Sequence, residues 1–101
     1  MKNKEQVMSA IYTAVDRVNE TLSRDAQIAR SPQTVLLGDH SSVDSLTLVM
    51  LIVAIETAVE EELKTAIPLS NIITSPDAES RVKDIDFFAD YVVSLLEEGH
   101  A

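Results

Sequence analysis

Residues 43–63 read VDSLTLVMLIVAIETAVEEEL, and this stretch decides the fold. Asp44-Ser45 leads into eight consecutive apolar residues, Leu48 to Ile55, and three glutamates close the run at Glu60, Glu61 and Glu62. Asp44 is a strong N-cap residue, because its carboxylate can accept from a first-turn N–H that has no partner within the helix. On a helix of about 3.6 residues per turn, Leu48, Leu51, Ile52, Ile55 and Val59 share one face, and Leu46, Val49, Met50 and Val53 share another. The spacing predicts a helix from Ser45 to about Thr65, apolar nearly all round in its first half and solvated at the glutamates. The apolar run is too short to span a bilayer, which takes about 20 residues.

Toward the N-terminus a helical period recurs. Val7, Ile11, Val15, Val18 and Leu22 follow at steps of four and three, with Met8, Tyr12 and Ala14 beside them. That pattern predicts an amphipathic helix over about 4–23. Residues 24–44 show no sustained period. Ser31-Pro32 disfavours helix, Gly38-Asp39 reads as a turn, and Val35, Leu36 and Leu37 are expected to pin the loop to the core. Loops of this length in small domains are usually functional.

Toward the C-terminus, Pro68 follows the second helix and Leu69 to Thr74 offers one turn at most. Ser75-Pro76-Asp77 resembles a helix start and places a short helix at about 76–82. Asp84 or Asp86 can cap a last helix over about 84–98, carrying Ile85, Phe88, Ala89, Val92, Leu95 and Leu96, with Gly99 as its stop. No stretch alternates apolar and polar residues as a half-buried strand would. The expectation is one all-α domain over residues 1–101, a bundle of three long helices and one short one with a long loop between the first two.

Composition narrows the function. The net charge is −9, and it lies wholly in the second half. Up to Val43 five cations match five acids; from Asp44 onward three cations face twelve acids. Nucleic acids need a basic surface, so they are unlikely ligands, and protein partners with basic docking surfaces are favoured. There is no cysteine, so any thiol used in function comes from a cofactor or a partner. No apolar signal segment follows the first residues, and a cytoplasmic monomer is expected.

Catalysis has little to work with. The two histidines, His40 and His100, have no patterned partner, and no phosphate loop or hydrolase motif is present. A metal site is not expected; the glutamate run reads as a wet helix face. The informative residue is Ser45. It would sit in the first turn of helix two, where unpaired N–H groups and the positive end of the helix dipole favour a phosphate-linked group. Nothing nearby supplies a base to activate it as a nucleophile, so Ser45 suits a residue that receives a group.

These residues resemble a known family. VDSLTLVMLIVAIE resembles the modification-site helix of acyl carrier proteins, whose usual form is LGxDSL followed by an apolar helix ending in acids. Leu37-Gly38 lies shortly before, and Ile67-Pro68 resembles the Ile-Pro that closes that helix. Val82, Ile85, Ala89, Asp90 and Tyr91 resemble the last helix, with Val92 in place of the Ile of its Asp-Tyr-Ile. Helix one matches in amphipathic pattern only, so specific motifs begin at Leu37. The resemblance implies a four-helix acyl-carrier-like bundle with 4'-phosphopantetheine on Ser45, flanked by Asp44 and Leu46. It also implies acyl thioesters on the terminal sulfur of that arm. The implied partners are a phosphopantetheinyl transferase and acyl-loading and acyl-transferring enzymes, and the chain itself would not be an enzyme. With Leu48, Leu51, Ile52, Ile55 and Val59 as the packed stripe of helix two, partners are expected to grip the opposite stripe of Leu46, Val49, Met50 and Val53 beside Ser45, with Glu56 and Glu60 at its rim.

The chain departs from the family in specific places. Asp39-His40-Ser41-Ser42-Val43 stands where the family usually has one residue. Helix two and the segment from Leu69 to Arg81 are longer. Thr47 and Met50 replace acids early in helix two. The loss of those acids sets the chain apart from carriers recognised electrostatically by fatty acid synthesis enzymes, and the expectation within lipid or secondary-metabolite biosynthesis is a specialised carrier that resembles those encoded with surface-polysaccharide or secondary-metabolite enzymes. An aminoacyl or peptidyl carrier, or an unmodified helical adaptor that binds proteins through Met50 and Val53, are the alternatives.

Overall fold

The computed structural model describes residues 2–36, 43–67, 69 and 83–98. Among these residues the chain is all-α. Helix α1 spans Lys2–Asn19, a 3-10 turn spans Arg24–Ala26, α2 spans Ser45–Leu63 and α3 spans Ile85–Glu98. A single antiparallel bridge joins Val35 to Asp84, and no strand is formed among the described residues. These are the three long helices of the expected four-helix, acyl-carrier-like bundle, with the long loop between the first two. The short helix expected at about 76–82 lies outside the described residues.

Helix α1 is the central element, in contact with both α2 and α3. Val7, Ala10, Ile11, Ala14, Val15 and Val18 are all buried along it. The two alanines matter here, because small side chains let two neighbouring helices approach one helix closely. From α2 come Leu48, Leu51, Ile52, Ile55, Ala58 and Val59, and from α3 Ile85, Phe88, Ala89, Val92 and Leu96. Phe88 also stacks against Tyr91, with ring centroids 6.2 Å apart. Each large side chain buried this way contributes about 1.5–3 kcal/mol. Among the described residues no polar or charged residue is buried. Leu22 and Leu95 are only partly buried at its edge.

The helix ends differ from expectation in small ways that have physical causes. Helix α1 stops four residues short of Ser23. The chain then tightens, with Thr21 N–H and Leu22 N–H donating to Val18 O at 2.9 Å and Asn19 O at 3.1 Å, a three-residue reach characteristic of a 3-10 turn. Helix α2 ends at Leu63 because Lys64 adopts the left-handed conformation, φ 58° and ψ 30°. That conformation terminates a helix, and a side chain makes it costly.

Candidate functional site

The start of α2 is built by Asp44. Its backbone is extended, φ −80° and ψ 171°. Its Oδ1 accepts from Thr47 N–H at 2.8 Å, while its main-chain oxygen accepts from Leu48 N–H at 2.9 Å. One residue thus serves two first-turn donors and sets Ser45 as the first residue of the helix. The Thr47 N–H also holds the Asp44 carboxyl below its ordinary value of 3.8. Because the native pKa is depressed, the cap stabilises the fold above pH 3.8 and loses that contribution as pH falls through the lower native value. The first turn of α2 carries no acid, so a phosphate group there would meet the positive end of the helix dipole without an opposing carboxylate on the helix itself.

Beside this start lies an exposed apolar stripe. Leu46 is 70% exposed, Val49 39%, Met50 36% and Val53 47%. These are the outward residues of the second face expected for α2, and they run away from Ser45 along successive turns. Thr47, half-buried, lies between them and the core face. Glu56, expected at the rim of this surface, has a different role. It is half-buried, and its Oε2 accepts from Leu69 N–H, so its charge holds the chain that follows α2. Glu60, one turn on, is exposed. Glu56, Glu60, Ala66 and Ile67 line an open cleft of about 300 Å³.

The loop before the site is strapped at two points, of which the apolar residues at 35–37 announced only the second. Asn19 uses both ends of its carboxamide on Ile28: Nδ2 donates to Ile28 O at 2.9 Å, and Oδ1 accepts from Ile28 N–H at 2.7 Å. Ile28 is buried as a result. Further on, Leu36 N–H donates to Lys83 O at 2.9 Å, Ile85 N–H to Thr34 O at 3.1 Å and Asp86 N–H to Pro32 O at 3.0 Å. Phe87 N–H donates to Asp84 Oδ1 at 2.8 Å and Phe88 N–H to Asp84 O at 2.9 Å. All four leading donors of α3 are therefore satisfied, two of them by the loop. Leu36 is buried at this seam and Val35 half-buried. Leu37, expected to join them, lies outside the described residues, as do Gly38, Pro68 and both histidines. An apolar triplet hinted at the second strap; a lone Asn at a helix end carried no comparable signal.

Among the described residues no group of three His, Asp or Glu side chains is placed to hold a metal ion, and no helix is long and apolar enough to cross a membrane. Comparison with protein-family models, with curated proteins and with solved structures returned no match. Fold and surface together define a small, compact helical domain of carrier-like or adaptor-like build, suited to contact with other proteins.

Proposed function

We propose that this chain is an acyl carrier, with Ser45 as the residue that receives a 4'-phosphopantetheine arm. The observation that carries the reading is the Asp44 cap, which sets Ser45 at the positive end of a 19-residue helix beside the exposed Leu46. The residues present fit such an arm. The helix start favours its phosphodiester, and the apolar stripe gives its partners a surface close to the attachment point. When bound, the arm supplies the thiol that the chain lacks, and acyl groups travel on it as thioesters. Attachment forms a bond between Ser45 Oγ and the pantetheine-bearing phosphorus of coenzyme A, breaks the pyrophosphate P–O bond and releases adenosine 3',5'-bisphosphate. The proton of that hydroxyl passes to a base supplied by the transferase.

A second reading is favoured by the exposed stripe itself: an unmodified helical adaptor that docks through Leu46, Val49, Met50 and Val53. Aminoacyl or peptidyl cargo on the same serine is a variant of the first reading. Intact mass separates them. The chain is incubated with coenzyme A and a broad-specificity phosphopantetheinyl transferase. The carrier reading expects a phosphopantetheinyl gain that Ser45→Ala abolishes, with the alanine variant melting close to the parent. No gain on the parent chain leaves the adaptor. A gain that persists in the alanine variant places the arm on another residue.

A further inference from the structure

Between the end of α1 and the start of α3 the chain is held by a continuous run of polar contacts. At one end is the Asn19 clamp on Ile28. Two residues on, the Arg30 guanidinium lies 5.1 Å over the Tyr12 ring and its Nε is 3.3 Å from Asp16 Oδ1, so α1 grips the loop a second time. The middle is tied to itself. Ser31 N–H donates to Ala29 O at 3.1 Å and Thr34 N–H to Ser31 O at 3.1 Å, and Thr34 Oγ1 reaches back to donate to Ala29 O at 2.9 Å. At the other end Thr34 O accepts from Ile85 N–H, Pro32 O accepts from Asp86 N–H, and Leu36 N–H donates to Lys83 O. Thr34 belongs to both halves, its hydroxyl to the α1 side and its carbonyl to the α3 side. Little burial backs this run. Among residues 28–36 only Ile28 and Leu36 are buried, against six apolar residues of α2.

We propose that residues 28–36 and the first turn of α3 form one strap that opens as a piece while α1 and α2 stay packed. Segments with few buried apolar contacts open at a lower free energy than the core, and groups joined in one hydrogen-bond network respond together. Opening frees the loop that leads toward α2 and leaves the Asp44 cap and the α1–α2 core in place. The domain therefore has a second state, which differs from the first at the end of α1 and the start of α3 together. The coupling is reciprocal. What loosens the Asn19 clamp loosens Ile85 and Asp86, and what loosens the α3 side frees Ile28. The device is a property of the fold and stands whether or not Ser45 receives an arm.

The test is native-state amide hydrogen exchange on the full chain, read by NMR where opening and closing are fast compared with exchange. In the parent, Ile28, Leu36, Ile85 and Asp86 are expected to share one protection factor, about tenfold or more below that of Ile52 and Ile55 in α2. Asn19→Ala is expected to lower the protection of Leu36, Ile85 and Asp86 by about tenfold, the size of one lost, partly buried pairing, although the Asn19 carboxamide bonds to Ile28 instead. Thr34→Val keeps the branched shape and removes the hydroxyl. It is expected to lower the protection of the Ile28 amide by about fivefold, and Thr34→Ser is expected to restore it. The proposal is overturned if the four amides match Ile52 and Ile55, because the strap then opens only with the whole fold. It is overturned if Asn19→Ala lowers Ile52 and Ile55 but leaves Leu36, Ile85 and Asp86 unchanged, because the two ends then open independently. It is equally overturned if Thr34→Val leaves Ile28 unchanged, or if Thr34→Ser fails to restore it. Should Asn19→Ala not fold, the Thr34 pair decides alone.

Discussion

Asn19 shows how much one side chain can organise. It is the last residue of α1, and its carboxamide satisfies both backbone groups of Ile28 at 2.9 and 2.7 Å. With those groups paired, the Ile28 side chain can be buried without stranding its own amide and carbonyl. Asn19→Ala is expected to destabilise the domain by about 1–3 kcal/mol, the cost of leaving partly buried polar groups unpaired. Asn19→Asp keeps the acceptor but sets a carboxylate against Ile28 O, so it is expected to destabilise as well. Urea melts check both. An alanine variant within about 0.5 kcal/mol of the parent, the range of ordinary surface changes, would mean that the clamp carries no stability. Asn is common at helix ends and in turns alike, and its partner is nine residues away in a loop without periodicity. Nothing local in the sequence could therefore have singled out this clamp.

At the scale of the element, α2 is a helix with two apolar faces of opposite fate. Leu51 is fully buried, whereas Met50, its neighbour, is exposed. Leu51→Ala is expected to cost about 2–5 kcal/mol through lost packing and a residual cavity. Met50→Glu is expected to leave stability within about 0.5 kcal/mol and, under the proposed carrier function, to weaken acyl transfer to the native partner. Thermal melts and a transfer assay separate the two effects. A Met50→Glu variant that melts far below the parent would make Met50 part of the core. One that folds and transfers normally would move the docking surface to another face. The division of α2 into these faces was legible from residue spacing alone, because the helical period assigns each residue a direction. The face carrying Leu48, Leu51, Ile52, Ile55 and Val59 was expected to pack and the Leu46, Val49, Met50 and Val53 face to stay exposed, and contact with α1 buries the first of them as expected. Glu56 marks the limit of such reading: its position suggested a solvated rim, but the chain returns after Lys64 and engages it through Leu69.

At the scale of the molecule, the bundle is closed by contacts between residues far apart in sequence. Lys4 near the start of α1 reaches two acids of α3, with Nζ 2.8 Å from Asp86 Oδ1 and 2.8 Å from Asp90 Oδ1. The hydrogen bond to Asp86 first, and that to Asp90 next, raise the Lys4 pKa above its ordinary 10.5. A raised native pKa means that the contribution is fully present below pH 10.5 and is lost as pH rises through the higher native value. The three groups are well exposed, so Lys4→Met is expected to cost no more than about 1 kcal/mol at low salt and less in strong salt. Melts of parent and variant at two salt concentrations, and at pH 8 and 11, check this. A difference between the two chains that does not shrink from pH 8 to pH 11, or is unchanged by salt, would show that packing of the Lys4 stem is the larger effect. Arg17 paired with Glu61 at 2.9 Å joins α1 to α2 in a similar way.

The sequence by itself determined the helical class, the three long helices, the residues available for the core and the Asp44-Ser45 start of α2. All of these follow from local rules: a period of about 3.6 residues, a capping carboxylate, and the absence of strand-like alternation. It also singled out Ser45, for which the attachment of a phosphate-linked group is a proposal. Tertiary structure alone decided that Asn19 clamps Ile28, that α3 takes two of its first donors' partners from the long loop, and that Glu56 and Glu60 line a cleft with Ala66 and Ile67. Each of these depends on two segments meeting in space. The energy that selects such a meeting comes from burial and from satisfying backbone groups, and neither quantity exists until the segments are brought together.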